Sequence, residues 1–195
     1  FTVAGECEQW KARVPTAVIH SFRTVVSDLA VNVGYIISTG GFQSGAEDAA
    51  ELTNLQLLNW QEFQKLHEEL WYDRYFAPTI VEKLDPLLTY TEPFLPIWFH
   101  DLSEANQQGY MALKDKYDLF GISLMKYTTY HRILNREALP QLPLRARFAG
   151  QEEALKVIPP EILDETAYRE FLELCVIYGQ QAINEFRSFK PKHAA

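Results

Sequence analysis

The chain offers five histidines, two cysteines and 26 carboxylates as raw material for chemistry. Dinuclear carboxylate centres in helical bundles need Glu-x-x-His on two helices, so that both ligands leave one face. The residues three before His20, His67, His100, His131 and His193 are Ala17, Gln64, Ile97, Thr128 and Lys190. No His-x-x-x-His occurs either, so no metal centre is expected. A b-type haem needs only one or two axial ligands. His20, His67 and His131 fall on three different predicted helices, which leaves haem open through any of them. Covalent haem is excluded, because there is no Cys-x-x-Cys-His. No cofactor is predicted.

Other catalytic patterns are absent. Thr39-Gly40-Gly41 is glycine-rich but lacks the Gly-Lys-Ser/Thr of a phosphate loop, and reads as a helix stop and turn. No Gly-x-Ser-x-Gly elbow occurs. Cys175 lies in an apolar stripe and reads as inert core. Cys7 and Cys175 sit at opposite ends of the chain; they could form one disulfide if the terminal helices are adjacent, and otherwise read as an exposed and a buried thiol with no bond, the leading expectation. No pair of carboxylates stands out by spacing; Glu68/Glu69 and Glu152/Glu153 read as solvated faces.

Two features are unusual. Trp71, Tyr72, Tyr75, Phe76, Tyr90, Phe94, Trp98 and Phe99 place eight rings within 29 residues. They are either the capping core of a bundle or a surface for a partner or a flat ligand. The second feature is charge distribution. Residues 1–100 carry 6 basic and 13 acidic side chains, whereas residues 101–195 carry 12 and 13. Arg132, Arg136, Arg145 and Arg147 fall in a mostly basic stretch. They could grip an anion or an acidic partner, or simply complement a helix end.

The elements that must position these residues read as helices. Val18, Phe22, Val25, Leu29, Val33 and Ile36 recur at steps of three and four, which predicts one helix over residues 15–38. Ser44-Gly45-Ala46-Glu47 fits a capping box, with a second helix running to about Tyr72 or Tyr75. Tyr110, Leu113, Tyr117, Phe120, Leu124 and Tyr127 define a third, from about Ser103 to Arg136. A fourth carries Tyr168, Phe171, Cys175, Tyr178, Ala182 and Phe186. The proline-broken stretches 76–100 and 138–163 predict short accessory helices. The fold expected is all-α: a bundle of four long amphipathic helices in a single domain over residues 1–195. Residues 1–14 read as an extended arm and 190–195 as a flexible tail.

A net charge of −8 argues against nucleic acid as a partner. No apolar run is long enough to span a bilayer, though peripheral association remains open. A start at Phe1 rather than Met leaves three readings open, a processed mature chain of an imported or exported protein, a fragment, or numbering from a later residue, and assigns no compartment. With no catalytic constellation visible, the leading expectation is a non-catalytic helical subunit acting through other protein subunits. Two alternatives stand beside it: a carrier or sensor for a lipid, pigment or tetrapyrrole, and an enzyme whose site is dispersed in sequence.

Overall fold

The computed structural model describes residues 1–129 and 139–191. The chain divides into two compact units, Phe1–Glu69 and Leu70–Ala195. The first is not helical throughout, and the fold is mixed α/β. Strands β1 (Val3–Glu8), β2 (Val33–Ser38) and β3 (Leu55–Leu58) form a parallel sheet in the order β1-β2-β3. Helix α1 (Thr16–Asp28) connects β1 to β2, and α2 (Ala46–Ala50) connects β2 to β3. Parallel neighbours need such crossovers.

This corrects the all-α expectation at three places. The segment read as an arm is β1. The helix predicted over residues 15–38 stops at Asp28, and Ala30 takes a positive φ of 50° as the chain turns into β2. Val33-Gly34-Tyr35-Ile36-Ile37 is β-branched and aromatic, and suits a central strand covered on both faces. Val33 and Ile36 fit a helical step only because a short apolar run satisfies either period. The second predicted helix is likewise split. Gly45, not Ser44, precedes α2, which lasts five residues before β3 begins.

Register is set by asparagines. Thr2 N–H donates to Asn32 Oδ1 at 2.7 Å while Asn32 N–H donates to the Thr2 carbonyl at 2.9 Å. Asn54 Nδ2 donates to the Val31 carbonyl at 2.9 Å. Val14, Ile19, Phe22, Val26, Val31, Ile36, Ala46 and Leu55 form the core that α1 and α2 share with the sheet. Gly34 permits this packing: a Cβ there would lie 2.6 Å from Val26 Cγ2 and 2.7 Å from Leu55 Cδ2. On the opposite face, the Tyr35 ring meets Phe63 and His67 of α3 (Trp60–Trp71) at 5.6 and 5.3 Å. The start of α3 carries a reciprocal cap. Glu62 N–H donates to Asn59 Oδ1 at 2.8 Å, and Asn59 N–H to Glu62 Oε2 at 2.7 Å.

The second unit is helical. A π-helical turn, Tyr72–Phe76, leads into α4 (Ala77–Tyr90). There follow a 3-10 turn (Ile97–Asp101), α5 (Glu104–Met125), a second 3-10 turn (Leu144–Phe148), α6 (Glu152–Val157), α7 (Pro160–Asp164) and α8 (Tyr168–Arg187). Ser103 caps α5, its Oγ accepting from Asn106 N–H at 3.4 Å. Tyr110, Tyr117, Phe120 and Leu124 of α5 are buried with Ile80, Leu84 and Leu87 of α4 and Phe171, Cys175, Ala182 and Phe186 of α8. Lys114 is buried too, its Nζ donating to the carbonyls of Tyr90 and Glu92 at 3.1 and 2.9 Å. No helix among the described residues is long and apolar enough to cross a membrane.

Candidate active site

Open parallel sheets bind ligands outside the carboxyl ends of their strands. In the first unit that end gathers the close of β1, the close of β2 and the loops that leave them. Along β1, Ala4, Glu6 and Glu8 take the half-buried face while Gly5 and Cys7 are exposed. Glu6 lies opposite Ile36, and Glu8 opposite the buried Ser38. Two carboxylates two residues apart therefore share one side of a strand. The Glu6 carboxyl is pushed above its ordinary value, first by burial, then by the charge of Glu8 and a hydrogen bond to it.

The loops around this pair are stitched together. Thr39 N–H donates to the Glu8 carbonyl at 3.3 Å, and Thr39 Oγ1 to the Trp10 carbonyl at 3.3 Å. Ser38 Oγ donates to the Gly41 carbonyl at 3.1 Å and accepts from Gly40 N–H at 3.2 Å. Val14 N–H donates to the Gly41 carbonyl at 2.9 Å. Gly40 sits so close to the incoming loop that a Cβ would lie 2.5 Å from the Ala12 carbonyl oxygen and 2.6 Å from that of Trp10. Exposed Lys11 and Arg13 ride on the stretch held in this way. The sheet end thus presents two carboxylates on a strand and two cations on the loop leaving it. Thr39-Gly40-Gly41 is a turn, as its composition suggests, but a turn that follows a strand.

The residues singled out by sequence are dispersed. Tyr72, Phe76 and Phe99 are buried in the core of the second unit. Trp98 is half-buried, edge-on to Tyr110 at 5.6 Å. Phe94 is 81% exposed. Trp71 and Tyr75 line a groove between α4 and α8. Arg145 is paired with Asp164, its Nη2 at 2.7 Å from Oδ2. The Arg147 guanidinium lies 5.5 Å from the centre of the Tyr127 ring. Arg132, Arg136 and His131 lie outside the described residues. His20 is exposed, and His67 packs edge-on to Phe63 at 4.8 Å. Cys7 is an exposed free thiol and Cys175 a buried one.

Residues 2–67 match the family model of a restriction endonuclease, Mrr_cat. The match covers the α/β unit nearly end to end. No curated protein and no solved structure matches the chain. Two expectations fall with the family match. A restriction endonuclease is an enzyme, so the likeness speaks against a non-catalytic accessory subunit. It also acts on DNA, so nucleic acid cannot be set aside on net charge. The acidic excess falls mostly in residues 1–100, yet Lys11 and Arg13 still stand together at one sheet end. Glu6 and Glu8 lie in the stretch that reads as an extended arm; their separation of two places them on one side only because β1 pairs with β2.

Proposed function

We propose that the first unit is the hydrolytic domain of a DNA nuclease, with Glu6 and Glu8 at its centre. The observation that carries this is a coincidence of two ranges. The restriction endonuclease match spans residues 2–67, and the same unit holds a half-buried carboxylate pair at the carboxyl end of its sheet.

Nucleases commonly work with divalent cations. Among the described residues, no group of three or more His, Cys, Asp or Glu side chains is placed to hold a metal ion. That disfavours an all-protein zinc cage, which takes at least three ligands. It suits magnesium, which is bound by one or two carboxylates and keeps waters and substrate phosphate oxygens. The Glu6–Glu8 repulsion marks a place where a cation is electrostatically favoured. Glu6 and Glu8 would hold such a cation, whose chemistry there would be polarisation of a phosphate and activation of water. The chain's own residues do the rest. Glu6 and Glu8 fix the cation-binding oxygens on a rigid strand. Lys11 and Arg13 attract the DNA backbone to this end of the sheet. The Ser38–Gly41 turn holds their loop in place before substrate arrives.

Nicking of supercoiled plasmid by the purified chain with magnesium tests the reading. Glu6→Gln and Glu8→Gln should each lower the rate roughly 100-fold, the scale of removing one preorganised electrostatic group. Chelation should abolish it. Wild-type protein that nicks no faster than Glu6→Gln and Glu8→Gln overturns the assignment.

A further inference from the structure

The second unit carries a groove that the nuclease reading does not use. It has a volume of about 550 Å³, within the range of ligand sites. One wall is a line of residues four apart: Trp71, Tyr75, Thr79 and Lys83. The other comes from α8, with Arg169, Leu172, Glu173, Val176 and Ile177. Tyr75 is 56% exposed, and its ring centre lies 5.6 Å from that of Trp71.

The backbone explains how these rings come to be outside. The turn Tyr72–Phe76 is π-helical, a form found mostly as single turns and frequently at functional sites. Tyr72 and Phe76 stack inward at 4.7 Å and are fully buried. Their neighbours Trp71 and Tyr75, one residue earlier in each case, line the groove. The irregular turn therefore satisfies the core and the groove together.

The groove's cations are held by partners that are easily exchanged. Arg169 Nε lies 3.2 Å from Glu173 Oε1, with side chains 76% and 62% exposed. Lys83 Nζ lies 2.7 Å from Glu82 Oε1, also on the surface. Exposed pairs of this kind contribute little to stability, so a phosphate can take either cation at small cost.

We propose that this groove binds an unpaired stretch of DNA, one or two nucleotides long. A base stacks on Tyr75 and Trp71, and the flanking phosphates meet Lys83 and Arg169. The choice of DNA as the strand rests on the nuclease reading of the first unit. Charge complementarity favours a strand over a peptide helix. A helix would meet Leu172, Val176 and Ile177 as an aliphatic edge, but Thr79 and Glu173 interrupt it and Lys83 and Arg169 give the lining two cations against one carboxylate.

Fluorescence anisotropy of a labelled 12-nucleotide thymidine oligomer, at two salt concentrations, tests this on the full chain. Wild type should bind it. Tyr75→Ala should weaken binding roughly tenfold, the scale of losing one stacked base, while Tyr75→Phe retains it. Lys83→Glu with Arg169→Glu should remove most of the salt dependence. Circular dichroism confirms that each variant folds. Wild-type affinity in Tyr75→Ala overturns the proposal. So does failure of the oligomer to bind, and so does binding of free thymidine monophosphate or of an amphipathic peptide in its place. Plasmid nicking by the same proteins keeps the two readings apart. Nicking that persists in Glu6→Gln, beside oligomer binding lost in Tyr75→Ala, removes the catalytic assignment alone. Oligomer binding unchanged in Tyr75→Ala, beside nicking lost in Glu6→Gln, removes the groove alone.

Discussion

The two units solve the burial problem differently. In the first, a three-stranded sheet is covered by helices, and Ile19, Phe22 and Val26 of α1 pack with Ile36 of β2 and Leu55 of β3. In the second, helices bury one another through large rings: Tyr72, Phe76, Tyr110, Tyr117, Phe120, Phe171 and Phe186 are all fully buried. A sheet that brings backbone ends together makes a compact polar site from residues close in sequence, such as Glu6 and Glu8. A helical unit spreads its chemistry along grooves, as Trp71 and Lys83 show. The acidic pair and the aromatic groove are thus products of two architectures.

Substitutions confined to one unit can test that contrast. The largest effect should come from Phe171→Ala. Its ring is fully buried, lying 6.3 Å from Phe76 and 5.1 Å from Tyr127. Truncation should cost about 3–5 kcal/mol by urea unfolding. Hydrogen exchange should speed up in α4, α5 and α8, and uniform acceleration across β1–β3 as well would break the division into two units. Gly34→Val should cost less, about 1–3 kcal/mol, because the new methyls press on Val26 and Leu55. Here the exchange should rise in β2 and α1 while α8 stays protected. An unchanged midpoint would show that α1 packs more loosely on the sheet than these distances imply.

The smallest effect concerns the Arg145–Asp164 pair. Arg145 holds the Asp164 carboxyl below its ordinary value of 3.8, chiefly through their hydrogen bond. A depressed carboxylate stabilises the fold above that value and stops doing so as pH falls through the lowered folded value. Asp164→Asn should therefore lower Tm slightly at neutral pH, with the difference closing in strong acid. Both partners are exposed, so the shift should also shrink in high salt. A difference that persists in acid would mean that the pair acts through packing instead.

The helical unit was largely legible in the sequence. The steps from Tyr110 to Leu124 lie on one buried face of α5, and the structure makes Ser103 the cap of that helix. Pro86 stands inside α4 without ending it. The sheet was not legible, for a physical reason that recurs. Residues 33–37 are continuously apolar because both faces of β2 are covered, so they lack the alternation that marks a half-exposed strand. Leu55 and Leu58, three apart, fit a helix as well as they fit the four-residue β3. With no sheet expected, residues 1–14 read as an unpaired arm, and the spacing of Glu6 and Glu8 had no face to give it meaning. The aromatic cluster was visible as composition, but its division between core and groove depends on the π turn, which no spacing announced. A site's spacing can be interpreted only after its element is known.

Gly40 has a consequence for recognising related chains. Two carbonyl oxygens of the loop that follows β1 crowd the place where a side chain would begin. A chain with any other residue there must carry Lys11 and Arg13 on a differently shaped loop. Glycine at this position, four residues after the partner of Glu6 in β2, is therefore a one-letter signature of the assembled sheet end. It sorts sequences that keep this arrangement from those that share only the surrounding strands.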